Sequence, residues 1–134
     1  MRKPEKTARS RAHTARLVLA ASLAVLFLVA LPGAASAATV ADCQAKIEQL
    51  RAQSATVAIS GRNADRDRAG LLGKLDEASA KLATGKNADA VQKLDDFRVK
   101  VQQLEASGHV ATGDAQPLIA GADDAIACIG SLPA

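Results

Sequence analysis

The chain has 134 residues, of which 49% are hydrophobic and 1% aromatic, and its formal net charge is +3. The six basic residues and one acidic residue of 1–37 contribute +5, so residues 38–134 carry a net charge of −2. Nucleic-acid binding requires clustered positive charge on the folded part of a chain, and this charge balance predicts no nucleic-acid partner. The length suits one small domain.

The first 37 residues have the three parts of a secretory signal peptide. A basic stretch ends at Arg16, an apolar stretch occupies 17–31, and Ala35-Ser36-Ala37 has the small-residue pattern of a cleavage site. A membrane-spanning helix needs about 20 apolar residues, and this stretch is shorter. We predict cleavage after Ala37 or a neighbouring residue, leaving 38–134 as one secreted domain without membrane attachment. The alternative is an uncleaved anchor that continues to Val40.

Cys43 and Cys128 are the two cysteines of the chain. Secretion places them in an oxidising compartment, where paired cysteines form disulfides. We therefore predict a Cys43–Cys128 disulfide that stabilises the domain by about 4 to 5 kcal/mol on the chain-entropy model. Two free thiols and an intermolecular bridge are the alternatives.

Apolar residues recur at helical spacing from Thr39 onwards. The first helix is predicted to begin at Thr39, which forms a capping box with Asp42, and to end around Ser60-Gly61. The second is predicted to begin at the cap residue Asn63 and to stop at Gly85.

Asn87 is predicted to cap the third helix, which Gly108 terminates. For the fourth helix, Pro117 fits only in the first turn, and this favours Asp114 over Thr112 as the cap.

The apolar positions of these four segments define the predicted inward faces. The fold class is all-α: a small antiparallel bundle of four helices, made of a three-helix module plus an N-terminal helix and closed by one disulfide. Alternating helix directions place Cys43 and Cys128 at the same end of the bundle. Gly121, inside the last apolar stripe, either weakens that helix or marks a close helix contact. The predicted inward residues are Cys43, Ile47, Leu50, Ser54, Val57, Leu71, Leu72, Leu75, Ala78, Leu82, Ala90, Val91, Leu94, Phe97, Val101, Leu104, Ala115, Leu118, Ile119, Ala122, Ile126 and Ile129.

Charged residues recur four positions apart on the same segments. An acid four residues before a lysine stabilises an exposed helix face, so we predict four such pairs within the first three helices. The four pairs are Asp42 with Lys46, Glu77 with Lys81, Asp89 with Lys93, and Asp96 with Lys100.

Residues 38–134 lack the usual sets of catalytic and metal-binding side chains. His109 is their one histidine, and a single imidazole does not make a zinc site. No G-x-S-x-G motif marks a nucleophilic serine. We therefore predict that the protein is not an enzyme and has no catalytic residue, metal site or cofactor.

Arg62, Arg66 and Arg68 form the best candidate for a contact surface. Three guanidinium groups beside Asp65 and Asp67 could hold a carboxylate-bearing polymer or protein. The alternative is a charged helix start exposed to water.

Two motifs within residues 70–129 show a family resemblance. They are L-x-x-K-L-D-x-A at Leu71–Ala78 and L-x-x-F-x-x-x-V at Leu94–Val101. With the apolar positions of the last segment, they make Gly70–Ile129 resemble the FIMAH module, a small helical domain appended to larger secreted bacterial hydrolases. The resemblance implies an accessory, non-catalytic helical unit. The segment bearing Cys43 is an addition to that pattern.

Three functional hypotheses follow from these patterns. The first is a secreted, non-catalytic helical module that binds or scaffolds an unknown extracellular protein or cell-wall polymer. The alternative is a carrier of small apolar ligands with a cavity between helices, suggested by the alanine-rich stripes. The third, an enzyme that uses His109 or the aspartate pairs, has least support.

Overall fold

The computed structural model describes residues 37–133, and four helices occupy most of this range. They are α1 (Val40–Thr56), α2 (Ala64–Ala83), α3 (Asn87–Ala106) and α4 (Thr112–Gly130). Helices α1 and α3 each pack against both α2 and α4, so the predicted all-α bundle of four helices is confirmed. Residues 37–133 lie in one compact unit. The predicted signal peptide lies outside the described residues except for Ala37.

The core consists of the apolar faces that the helical spacing predicts. Phe97, Leu75 and Leu94 are fully buried between the helices. Ser54 is the one buried polar residue of 37–133, and its hydroxyl donates a 2.8 Å hydrogen bond to the Leu50 carbonyl. The predicted positions Leu72, Val91, Ile119 and Ile126 are only half-buried, whereas Ala125 and Val110, which the spacing did not select, are buried.

The start of α1 matches its prediction. The Asp42 backbone N–H donates to the Thr39 hydroxyl at 3.2 Å, and the Thr39 N–H donates to the Asp42 carboxylate at 2.9 Å. The helix ends at Thr56 rather than at Ser60-Gly61. Val57 is extended (ψ 140°), and the Ser60 N–H donates to the His109 carbonyl at 2.8 Å. The link after α1 therefore pairs with the link before α4 instead of continuing the helix.

The caps of α2 and α3 agree with the sequence in part. Asn63 occupies the predicted cap position of α2, but its side chain makes no cap hydrogen bond. The predicted cap of α3 is wrong: Lys86 takes that position, and Asn87 is the first helical residue. Gly85 and Gly108 both have φ 72°, the left-handed conformation expected of glycine after a helix.

The predicted cap of α4 is wrong. Ala111 takes the cap position, so Asp114 lies inside the first turn, where its N–H donates to the Ala111 carbonyl at 2.9 Å. Pro117 thus lies deeper in the helix than expected. Its missing N–H deprives only the Gly113 carbonyl of a helical partner, and Gly113 is exposed to solvent. The helix can therefore begin earlier than the proline rule suggests.

The predicted disulfide joins the beginning of α1 to the end of α4. Cys43 and Cys128 are bonded, with their Cα atoms 5.5 Å apart. The bond closes one end of the bundle, and the Ser60–His109 backbone hydrogen bond links the two loops at the opposite end.

Among residues 37–133, most ion pairs join neighbouring helices, and none joins residues four apart on one helix. The hairpin of α2 and α3 carries four, and as one partner advances along α2 the other retreats along α3, as antiparallel helices require. The three predicted pairs of α2 and α3 are therefore replaced by pairing across the hairpin, and in α1 the Asp42 carboxylate bonds Thr39 rather than Lys46. The four pairs are Asp67–Lys100 (2.7 Å), Lys74–Asp96 (3.8 Å), Glu77–Lys93 (2.6 Å) and Lys81–Asp89 (3.6 Å).

Candidate functional site

Of the three arginines of the predicted contact surface, Arg68 is not available, whereas Arg62 and Arg66 are. Arg68 turns towards α1, where its guanidinium donates to the carbonyls of Ala55 at 2.7 Å and Ser54 at 3.3 Å. It thus satisfies backbone groups at the carboxyl end of α1, where a positive charge is also favoured by the helix dipole. Arg62 and Arg66 are exposed and belong to none of the ion pairs within residues 37–133. They remain a candidate contact surface, without Arg68.

A groove runs along the junction of α1 and α4, and we call it the α1–α4 groove. It consists of two clefts that share Gln53 and Pro117. The first has a volume of about 180 Å³, and its other lining residues include Lys46, Gln49, Gly121 and Asp124. The second has a volume of about 410 Å³, and its other lining residues include Thr56, Ala58, Asp114 and Leu118.

Gly121 forms the floor of this groove. A Cβ atom at Gly121 would lie 3.0 Å from Cδ1 of Leu50, so the two helices approach each other closely there. This confirms the close helix contact that the isolated glycine suggested. The side chains of Gln49 and Gln53 stand exposed above this contact and offer amide donors and acceptors along the groove.

The α1–α4 junction also differs from the other three helix junctions in its ion pairs. Arg51–Asp76 joins α1 to α2, and Arg98–Asp123 joins α3 to α4, at 2.7 and 2.8 Å. Among residues 37–133, no ion pair joins α1 to α4, although Lys46 and Asp124 line the same cleft. The groove is therefore not covered by cross-helix ion pairs.

His109 lies in an exposed cleft between the two loops at the end opposite the disulfide. Ser60 and Asp114 line the same cleft, whose volume is about 300 Å³. The imidazole Nδ1 of His109 lies 3.3 Å from the Ser107 hydroxyl. The Ser60 hydroxyl instead donates to the His109 backbone carbonyl at 3.2 Å. Within the described residues, the Ser60 hydroxyl is therefore engaged with the backbone rather than with the imidazole.

A different, mostly apolar cleft lies at the disulfide end, and we call it the end cleft. Its volume is about 680 Å³, and its lining combines the start of α1, the α2–α3 turn and the residues after α4. Two lining residues are polar, Thr39 and Asn87. The apolar lining residues are Ala37, Ala38, Val40, Gly85, Leu132 and Pro133.

Neither the α1–α4 groove nor the end cleft was predicted from the sequence. Gly121 was the one available signal for the groove, since it marked the close contact on which the groove rests. Within the described residues, no group of three or more His, Cys, Asp or Glu side chains could hold a metal ion. No helix within 37–133 is long and apolar enough to cross a membrane.

Comparisons with protein-family models, with curated proteins and with solved structures find no match to this chain.

Proposed function

We propose that the protein is an exported, non-catalytic helical module that binds a segment of an extracellular protein in the α1–α4 groove. One observation carries the proposal: within residues 37–133, the α1–α4 junction is the helix junction without a cross-helix ion pair, and two confluent clefts follow it. Side chains at the other junctions are engaged with one another, whereas the amides of this groove are free to bind a partner.

The chemistry of the groove suits a polypeptide better than a cell-wall polysaccharide. Gln49 and Gln53 can donate to peptide carbonyls and accept from peptide N–H groups. A sugar-binding surface would be expected to offer aromatic rings for stacking, but Phe97, the one aromatic residue of 38–134, is fully buried. We therefore favour an extracellular protein as the partner.

The dimensions of the groove suit a short extended segment. Lys46 and Ala58 mark its two ends along α1 and its continuation, a separation of about 18 Å at the helical rise per residue. An extended peptide covers this distance with about five or six residues.

Export and an accessory role rest on separate arguments. The disulfide is of a kind that persists in oxidising compartments, and residues 1–37 have the pattern of a signal peptide. The resemblance of Gly70–Ile129 to the FIMAH module supports an accessory unit over an enzyme.

The test uses the predicted mature domain, residues 38–134, with the disulfide formed, because this range contains the core and both cysteines. The protein is immobilised and exposed separately to secreted proteins from culture medium and to purified cell walls. The groove variant is Gln49→Arg/Gln53→Arg. Its matched control is Gln92→Arg/Gln102→Arg, which changes two exposed glutamines of α3 in the same way.

We expect the wild type and the α3 control to retain the same secreted protein, and the groove variant to bind it at least about tenfold more weakly. A further variant, Arg62→Ala/Arg66→Ala, separates the groove from the arginine surface. Retention of cell walls alone, loss of binding only in the arginine variant, or no retained protein would each overturn the proposal.

A further inference from the structure

The wider of the two clefts in the α1–α4 groove, which we call the Asp114 cleft, is lined by one charged residue. This residue is Asp114, whereas the first cleft is lined by both Lys46 and Asp124. The Asp114 side chain is exposed and belongs to none of the ion pairs within residues 37–133. The opposite charges of the first cleft offset each other, while the Asp114 cleft favours a positively charged group of a ligand.

A backbone carbonyl adds a second hydrogen-bond acceptor beside Asp114. Pro117 also lines the cleft, and because it has no N–H, the Gly113 carbonyl next to it lacks its helical partner. Gly113 is exposed to solvent and directly precedes Asp114 at the start of α4. This turn therefore offers a carboxylate and a carbonyl, both of which can accept hydrogen bonds from an ammonium or guanidinium group.

The apolar part of the Asp114 cleft suits the aliphatic stem of a long side chain. Its apolar lining residues are Val57, Ala58, Pro117 and Leu118. Val57 and Leu118 are buried members of the core, so packing holds them in place. Lysine and arginine lay their methylene groups along apolar surface and keep the charged head in water. The cleft, with a volume of about 410 Å³, thus combines a surface for the stem with acceptors for the head.

Basic groups of the protein itself leave Asp114 available. His109 lines the adjacent cleft together with Asp114, but its Nδ1 lies against the Ser107 hydroxyl, and no ion pair joins it to Asp114 within the described residues. Arg68 is bonded to backbone carbonyls of α1 and does not line the cleft. The amino end of α4 carries a partial positive charge of about half an elementary charge, which is less than the full negative charge of the Asp114 carboxylate.

We infer that the segment bound in the α1–α4 groove carries a lysine or arginine, which packs its stem on Val57 and Leu118 and donates to the Asp114 carboxylate. The inference rests on the proposed function, because it specifies which peptides the groove accepts. Gln49 and Gln53 bind the peptide backbone whatever its sequence, whereas Asp114 determines the specificity of the site.

A display library of random peptides of about six residues, the length that the groove spans, provides the probe. It is selected on residues 38–134 with the disulfide formed, as wild type, Asp114→Asn and Asp65→Asn. The last is the matched control, since Asp65 is also exposed, lies in the first turn of a helix and belongs to none of the ion pairs within 37–133. Selected peptides that no longer bind Gln49→Arg/Gln53→Arg are the groove ligands.

We expect lysine and arginine to be enriched at one position of the groove ligands of the wild type and of Asp65→Asn, by about threefold over the unselected library. Ligands selected on Asp114→Asn should show no such enrichment.

A synthetic pair of peptides then measures the contribution of the charge. The strongest wild-type ligand is made with lysine or with acetyl-lysine at the enriched position, because acetylation removes the charge and keeps the stem. Acetyl-lysine should weaken binding to the wild type and to Asp65→Asn by about threefold, and less at high salt. The two peptides should bind Asp114→Asn equally well in calorimetric titrations.

The possible failures separate the inference from the proposed function. Groove ligands without an excess of basic residues, or an acetyl-lysine effect that persists in Asp114→Asn, would overturn the inference and leave peptide binding by the groove intact. Equal effects of Asp114→Asn and Asp65→Asn would also overturn it, because overall charge would then account for the preference. If every selected peptide still binds Gln49→Arg/Gln53→Arg, the groove is not a peptide site, and both the proposed function and the inference fail.

Discussion

The α2–α3 pair and the α1–α4 pair are held together by different interactions. Helices α2 and α3 are joined by a turn of three residues and carry four ion pairs across their surface. Helices α1 and α4 are distant in sequence, with Cys43 and Cys128 separated by 85 positions. They are joined by that disulfide and by the close approach of Gly121 to Leu50.

The difference reflects how much chain entropy each contact must overcome. A short turn keeps the segments of α2 and α3 close together in the unfolded chain, so bringing them into contact costs little chain entropy and weak surface ion pairs can add to their shared core. A covalent bond restricts the unfolded chain most when its ends are far apart in sequence. Because the disulfide and close packing hold α1 to α4, the surface above that junction needs no ion pairs and remains open to a partner.

Removing the disulfide should change the stability of the protein more than any other substitution considered. We expect Cys43→Ala/Cys128→Ala to lower the free energy of unfolding by about 4 to 5 kcal/mol, the value of the chain-entropy model for a loop of this length. Chemical denaturation of the oxidised wild type and the variant measures the difference. A loss of about 1 kcal/mol or less would show that packing alone holds α1 to α4.

The close contact of α1 with α4 should make Gly121 intolerant of a side chain. Gly121→Ala is expected to lower the free energy of unfolding by about 1 kcal/mol, because overpacking against buried Leu50 outweighs the helix propensity gained. Gly73→Ala is the matched control, since nothing lies within 4 Å of a Cβ at that helical position. It should stabilise the protein by about 1 kcal/mol. Equal effects of the two substitutions in thermal denaturation would contradict the close contact.

Arg68 and Arg66 should differ although they are neighbours in the sequence. Arg68→Ala leaves the Ala55 and Ser54 carbonyls without their donor and is expected to lower the free energy of unfolding by about 1 kcal/mol. Arg66→Ala changes an exposed side chain and should remain within about 0.5 kcal/mol of the wild type. If urea denaturation gives the two variants equal stability, Arg68 does not stabilise α1 and belongs with the candidate contact surface.

The α2–α3 ion pairs should show the smallest effects. Glu77→Lys and Lys93→Glu each place like charges together and should lower the denaturation midpoint. The double exchange should restore part of the loss, because the pair re-forms while Lys74, Lys81, Asp89 and Asp96 oppose the exchanged charges. High salt should weaken all three differences. A double variant no more stable at low salt than the two single variants would contradict the pairing.

The stability that the Glu77–Lys93 pair contributes should depend on pH in a defined direction. The hydrogen bond from Lys93 lowers the pKa of Glu77 below its ordinary value of 4.5, and the same bond raises the pKa of Lys93 above 10.5. The Glu77 contribution is therefore present above pH 4.5 and is lost as the pH falls through the lowered pKa. The Lys93 contribution is present below pH 10.5 and is lost as the pH rises through the raised pKa. Glu77→Gln should accordingly flatten the acid side of a plot of denaturation midpoint against pH.

The sequence predicts the helices well but some of their ends poorly. Burial repeats every three to four residues, so the apolar spacing alone identifies core positions such as Ile47, Leu75 and Phe97. Helix ends depend on weaker local signals. Pro117 suggested a late start for α4, but the loop before it turns at Ala111 and tolerates the unpaired, exposed carbonyl of Gly113.

The candidate sites were less predictable than the fold. The arginine cluster is visible in the sequence, but only the packing of α2 against α1 directs Arg68 to the Ser54 and Ala55 carbonyls. The end cleft combines three segments that are far apart in the chain, around Val40, Asn87 and Leu132. No local pattern could have placed them together.

The sequence by itself determined the four helices, their buried faces and the pairing of two cysteines, because core burial and the oxidation of a lone pair of thiols both leave a simple pattern along the chain. The tertiary structure decided which charges pair and where the surface stays open. Long charged side chains such as Lys93 reach neighbours on their own helix and on the next one equally well. Their choice depends on the axial offset between helices, which only the packed bundle sets.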